Sequence, residues 1–201
     1  TYRQELTKFD YAICLAAALC YLMIHQNDPV GVVTFGEEIT NYLPPKSKRQ
    51  QIGNILSLLA KLKPAGKTDV GRSLAQLAAM LKHSSLVMVF SDLLADSEPI
   101  ISALRQLRHG GNDVILFHIL DEAEVAFPFS GLVEFQEPET NARLEVDADS
   151  YRRDYLQEIE QFREMYRREC FQSGIDYVPL DTSMPFDRAL TEYLLKRQSR
   201  G

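Results

Sequence analysis

Cysteine is scarce in this chain, with three in 201 residues. Cys14 and Cys20 share one helical stretch at a spacing that is neither C-x-x-C nor that of metal ligands, and Cys170 is remote. A disulfide framework is therefore excluded, and the odd count fits reduced thiols in a cytoplasmic setting. Positive charge is short as well. Lys and Arg number 22 against 28 Asp and Glu, a formal net charge of −6. The basic groups (Lys46-Ser47-Lys48-Arg49, Arg152-Arg153, Arg167-Arg168) are brief and mixed with acids. Nucleic acid needs a clustered basic surface, so these groups read as solvated helix faces and no nucleic-acid partner is expected. No apolar run approaches the length that spans a bilayer, and no signal peptide is visible, so no direct membrane insertion is expected. The G-x-S-x-G nucleophile elbow is missing. His25, His83, His109 and His118 are scattered. The chain does not begin with Met, and with Thr1 opening a polar segment it reads as a fragment or a processed chain.

What is present is an ordinary globular composition, 45% apolar and 25% charged, with enough length to bury a core. The organising stretch is Leu86-Val87-Met88-Val89-Phe90-Ser91-Asp92. A short unbroken apolar run of this kind predicts a strand buried on both faces, in the middle of a parallel sheet. Ligand sites in such sheets lie just beyond the carboxyl ends of the strands, where Asp92 stands.

The flanking segments alternate. Thr7 to Gln26 predicts a helix opened by a Thr7-x-x-Asp10 capping box. Val30 to Phe35 predicts a strand, and Ile39 to Leu43 an antiparallel edge strand that Pro44-Pro45 brings to an end. Ser47 is expected to cap a helix through Leu62, and Asp69 to open another through His83. A helix capped by Asp96 or Ser97, with Pro99 in its first turn, ends at Gly110-Gly111. Val114 to Leu120 is a further buried strand, inside which His118 is expected to be buried and satisfied. Val133 to Gln136 and Arg143 to Val146 alternate like a hairpin around Glu137 to Asn141. Ser150 to Phe171 is a long helix stopped by Gly174, Asp176 to Leu180 a last strand, and Pro185 to Leu195 a last helix. The pattern predicts a three-layer, Rossmann-like α/β fold: a mostly parallel central sheet flanked by helices. It forms one domain over 1–201, with a small β-hairpin insert at 125–148.

At the strand ends, Thr68 and Asp92 are hard oxygen donors suited to magnesium or calcium. The bland alternative is that Thr68 caps a helix and Asp92 accepts backbone N–H groups in its own loop. Gly66-Lys67-Thr68 lacks the upstream glycine and the leading strand of a phosphate-binding loop. Asp181-Thr182-Ser183-Met184 begins like a D-x-S-x-S metal motif, but Pro185 stands where the last hydroxyl should be, and helix capping explains the segment better.

A set of segments resembles the domain-of-unknown-function family 58. They are Asp28-Pro29-Val30-Gly31-Val32-Val33-Thr34-Phe35, Leu43-Pro44-Pro45, Pro64-Ala65-Gly66-Lys67-Thr68-Asp69 and Val89-Phe90-Ser91-Asp92-Leu93. To these are added Leu104 to Gly110, Phe117-His118-Ile119-Leu120-Asp121, Phe127-Pro128-Phe129 and the tail from Asp176-Tyr177 to Phe186-Asp187-Arg188-Ala189-Leu190. The family is similar to von Willebrand factor type A domains. The resemblance implies that fold and a metal-ion-dependent adhesion site holding Mg²⁺. In the superfamily that site is built from a D-x-S-x-S motif after the first strand, a threonine matched here by Thr68, and an aspartate matched by Asp92. The first strand and its motif should precede a segment like Leu6-Thr7-Lys8-Phe9-Asp10, so Thr68 and Asp92 make a partial metal site whose remaining ligands are expected upstream of Thr1. This chain alone is expected to bind Mg²⁺ weakly or not at all. Family members are often encoded beside MoxR-type AAA+ ATPases, which implies a non-enzymatic, cytoplasmic accessory or adaptor protein for such an ATPase. A hydrolase or phosphotransferase using Asp92 and a metal-free structural domain are the rival readings, and fold-level kinship alone does not choose among them.

Overall fold

The computed structural model describes residues 6–64, 68–136 and 143–185, with 188 and 191. The anticipated loop residues 65–67, the tip of the hairpin at 137–142 and most of the anticipated final helix lie outside these described residues.

The first helix, α1 (Lys8–His25), begins with the anticipated box: Thr7 Oγ1 accepts the Asp10 N–H at 3.0 Å, and Asp10 Oδ2 accepts the Thr7 N–H at 3.2 Å. It leads to β1 (Val30–Phe35) and the antiparallel β2 (Ile39–Lys46). Pro44 and Pro45 do not end β2, contrary to expectation. The register slips between Val30 and Val32, so both prolines sit in a bulge on a strand edge, where a missing N–H costs nothing. Gly31 makes the bulge possible, since a Cβ there would lie 2.7 Å from Leu43 O and 2.9 Å from Pro45 N. The buried Gln51 amide donates to Val30 O and Pro44 O at 3.1 and 3.0 Å, satisfying the carbonyls that the bulge frees.

Gln51 belongs to α2 (Gln50–Leu59), which starts three residues after Ser47 and ends short of Leu62. Ser47 is not its cap, and Arg49 at the N-cap makes no side-chain bond. The docking of Gln51 onto the bulge sets where this helix begins. Next come α3 (Val70–Met80), capped by Asp69, then β3 (Leu86–Ser91) and α4 (Ser97–His109), capped by Asp96. They are followed by β4 (Asp113–Leu120), α5 (Glu122–Ala126), the hairpin β5 (Leu132–Gln136) and β6 (Arg143–Asp147), α6 (Ala148–Gln172) and β7 (Asp176–Asp181).

The parallel sheet runs β3-β4-β7, so β4 and not β3 is its middle strand. Burial follows position: all of β4 after Asp113 is buried, whereas β3 has only Val87 and Val89 fully buried. One face packs under α1 through Tyr11, Leu15 and Leu19 against Ile115, Phe117 and Ile119. The other face packs Val87, Val89 and Leu116 against Leu74 of α3, Leu104 of α4 and Tyr166 of α6. The layered α/β architecture is as expected.

The strands β1 and β3 do not pair with each other, yet they share both hydrophobic layers. Val30 and Val32 pack with Ile13 and Ala17 of α1, and Phe35 packs on the opposite side with the cluster around Val87 and Val89. The two sheets are therefore separate in hydrogen bonding but are covered by the same helix. Sequence hydropathy understated α1. By length and composition alone its 18 residues could cross a membrane, at a mean hydropathy of 1.3. In the fold 28% of that window is buried, Tyr11, Leu15, Leu19 and Ile24 included, and the rest is partly or fully exposed.

Candidate docking site at the strand ends

Beyond Ser91 the chain turns sharply. Ser91 Oγ accepts the Leu93 N–H at 3.0 Å, and Asp92 Oδ1 accepts the Leu94 N–H at 3.4 Å. Leu93 is forced to φ 57°, a left-handed conformation that a leucine adopts only under constraint. Its side chain is fully buried in the core and acts as the anchor, while Leu94 is turned out and is 64% exposed.

Asp92 does not stand alone. Lys8, in the first turn of α1, places Nζ 3.2 Å from Asp92 Oδ2 and 2.7 Å from Glu124 Oε1 on α5. Burial works against the Lys8 charge, but the hydrogen bond to Glu124 and the charges of Asp92 and Glu124 outweigh it, leaving its pKa raised. Glu124 is itself fixed by a capping box: its Oε2 accepts the Asp121 N–H at 2.7 Å, and Asp121 Oδ1 accepts the Ala123 N–H at 2.9 Å.

Beneath this triad lies His118 of β4, level with Ser91 in the parallel register and completely buried. Its Nδ1 is 2.7 Å from the Tyr177 hydroxyl. Phe162, Tyr166 and Tyr177 wall the ring. The expectation of a satisfied histidine holds closely for Nδ1; at Nε2 no hydrogen bond of good geometry is made, and the Asp92 backbone is the polar group that acts on the ring. Burial pushes its pKa down, the backbone of Asp92 partly restores it, and the Arg163 charge lowers it again, leaving it at about 4.

Thr68 lines a cleft of about 500 Å³ with Glu37, Asp69, Arg72 and, from the loop that follows Asp92, Ala95 and Asp96; Asp92 itself is not among the lining residues. Thr68 is not the helix cap either. Asp69 is, accepting the Arg72 N–H at 2.9 Å. Asp181 accepts the Ser183 N–H at 3.0 Å and Thr182 Oγ1 accepts the Glu122 N–H at 3.1 Å, so this segment is a turn braced against α5. The residues present do not fit magnesium. One Asp92 oxygen faces an ammonium and the other a backbone amide, and the described residues gather no group of three or more His, Cys, Asp or Glu able to hold an ion. Lys8, Glu124 and His118 were not identified from sequence as parts of a site. Of these only Glu124 carried a local signal, the Asp121-x-x-Glu124 capping pattern.

The fold is of the von Willebrand factor type A kind. One similar crystal structure is an aerotolerance-related membrane protein from Bacteroides fragilis NCTC 9343 with multiple mutations to serines. It matches with a TM-score of 0.57 and 14% identity, over 92% of this chain and 86% of that one. Another is the conserved hypothetical protein BatB from Bacteroides thetaiotaomicron, with a TM-score of 0.51 and 12% identity, over 94% of this chain and 89% of that one. At these identities the likeness is one of fold. No curated protein matches in sequence. The sequence profile of the family described as Protein of unknown function DUF58 matches residues 1–165, and the chain belongs to that family.

Proposed function

We propose that this chain is a non-enzymatic protein-interaction module. It docks a partner protein on the strand-end face around Asp92 and Leu94, as an accessory or adaptor to a MoxR-type AAA+ ATPase. The observation that carries the docking reading is Leu93. Its left-handed backbone holds a bare leucine out to solvent beside an ion-paired aspartate. Such strain, of about 1–3 kcal/mol, accumulates where a surface is shaped for use. A partly apolar, partly charged rim suits a protein ligand. The non-enzymatic reading is supported over a hydrolase by the engagement of both Asp92 oxygens, which leaves that carboxylate poorly placed to act as a base or nucleophile. The ATPase as partner rests on the family resemblance.

The module works on the cytoplasmic side without inserting into a membrane. Support comes from the core packing of α1 and from three free thiols, those of Cys20 and Cys170 pushed up by burial to about 11 and about 12. The similar Bacteroides fragilis protein is a membrane protein, so a role beside a membrane is compatible with this placement.

A pull-down with a purified MoxR-type ATPase tests the reading. Leu94→Ser and Asp92→Ala should each weaken capture, Leu94→Ser by roughly tenfold, while both variants keep native circular dichroism. Capture equal to wild type by both folded variants would remove the strand-end face from the function.

A further inference from the structure

The face around Asp92 already contains a cation. The Lys8 ammonium is 2.7 Å from Glu124 Oε1 and 3.2 Å from Asp92 Oδ2. The second oxygen of each carboxylate is engaged by a loop amide: Asp92 Oδ1 by Leu94 at 3.4 Å and Glu124 Oε2 by Asp121 at 2.7 Å. All four carboxylate oxygens are therefore spoken for by donors of the chain itself. The triad is only partly open to water, with side-chain exposures of 24% for Lys8, 40% for Asp92 and 26% for Glu124. A lysine ammonium offers three N–H donors on a flexible stem. Magnesium demands a near-octahedral shell of hard oxygens at about 2.0–2.1 Å, and an ammonium against the same carboxylate repels it.

We infer that Lys8 is the resident cation of the strand-end site: its ammonium takes the place a divalent ion would take at Asp92, and the face operates without a metal. A partner then meets a fixed Lys8–Asp92–Glu124 ion triad and not a metal with an open coordination position. The triad is also a tie. It joins the start of α1 to the end of β3 and to α5, three elements that meet at this face.

This inference deepens the docking reading. Its tests read cation binding alone, so it can fail while docking stands, and docking can fail while it holds.

The first experiment titrates Mg²⁺ into the 201-residue chain by calorimetry, comparing wild type, Lys8→Met and the Lys8→Met/Asp92→Asn double variant. Wild type should give no saturable site in the millimolar range. Lys8→Met should bind at least about tenfold more tightly, because a like charge has been removed from the site, and the double variant should lose that gain. A saturable Mg²⁺ site in wild type that Asp92→Asn abolishes would overturn the proposal, as would a folded Lys8→Met chain with no gain.

A second experiment needs no variant. Competitive acetylation of the wild-type amines, read by mass spectrometry, should show Lys8 reacting several-fold more slowly than the exposed Lys48, and Mg²⁺ should leave that ratio unchanged. Equal reactivity, or a Lys8 that Mg²⁺ exposes to the reagent, would show that the ammonium does not hold the site.

Discussion

Protonating His118 should cost the fold more than protonating any exposed histidine. The ring is fully buried among Phe162, Tyr166 and Tyr177, and its pKa is held at about 4 against an ordinary value of 6.5. The native state keeps the ring neutral while the unfolded chain protonates it. Above about pH 6.5 both states are neutral and the group contributes nothing to the pH dependence. As the pH falls from there toward about 4, the unfolded state binds the proton and the native state does not, so stability falls. Below about pH 4 both are protonated and the loss levels off. Each pH unit in that window is worth about 1.36 kcal/mol. Between pH 7 and pH 5 the loss comes to about 2 kcal/mol, out of a total that is about 5–15 kcal/mol for a domain of this kind. The assay is urea unfolding across that range for wild type and for His118→Phe, which removes the proton site and keeps an aromatic ring. Tyr177 loses its 2.7 Å hydrogen bond in the variant, so its stability should be lower at neutral pH. The slopes decide the question: carboxylates contribute equally to both chains, and wild type should lose about 2 kcal/mol more than the variant. Parallel slopes, or a ring that titrates near 6.5 by NMR, would refute the assignment of a buried neutral imidazole.

Gly71 of α3 faces Pro99 of α4, and a Cβ there would lie 2.7 Å from Pro99 Cβ and 3.0 Å from Pro99 C. Gly71→Ala should therefore destabilise by about 1–3 kcal/mol in urea unfolding despite the better helix propensity of alanine, and a stabilised variant would refute the close approach. Val89 is 3% exposed, so Val89→Ala should cost about 1–3 kcal/mol, whereas Asp92→Ala should cost about 1 kcal/mol or less; the reverse order would make Asp92 a structural anchor. The raised Lys8 pKa means that the triad stabilises the fold below the ordinary lysine range and loses that effect as the pH rises through the raised value. An alkaline unfolding profile should therefore show a component that Lys8→Met lacks. Amide hydrogen exchange should protect β4 most, as it pairs on both sides, and β1 and β3 less; equal protection of β3 and β4 would mean that the free edge of β3 is paired.

The parts of the fold that sequence made legible are those whose signal is local. Unbroken apolar runs marked β3 and β4, and Thr7-x-x-Asp10 and Asp96 marked the starts of α1 and α4 because a cap is a contact within a few residues. The Pro44-Pro45 pair was misread because what accommodates it is tertiary: the glycine opposite, and a glutamine from the next helix reaching two carbonyls. The triad was hidden for the same reason, since Lys8 and Glu124 lie 116 residues apart. No periodicity joins them, and only the parallel pairing of β3 with β4 brings α5 next to the Asp92 loop. The resemblance named Thr68 and Asp92 by motif, and in the fold Thr68 lines a cleft with Ala95 and Asp96, on the loop that follows Asp92. A pair of donors in a sequence carries no distance.

The hidden contact bears on the least usual feature of the sheet. Between β1 and β3 the hydrogen-bond ladder is broken while the packing is continuous, and the element that spans the break is α1, touching β1 through Ile13 and Ala17 and the parallel sheet through Tyr11, Leu15 and Leu19. Apolar packing of this kind is strong but non-directional, and it would tolerate some sliding of a helix along its own axis. Two things oppose that sliding. At one end, Ile24 packs with Ile55 and Leu59 of α2. At the other, Lys8 is held to the end of β3 and to α5 by contacts that need a defined distance and direction. The ion triad is therefore placed where the ladder cannot act: it sets the axial position of the helix that holds the two sheets together. A partner that contacts Asp92 reaches a polar tie between α1 and the strand it covers.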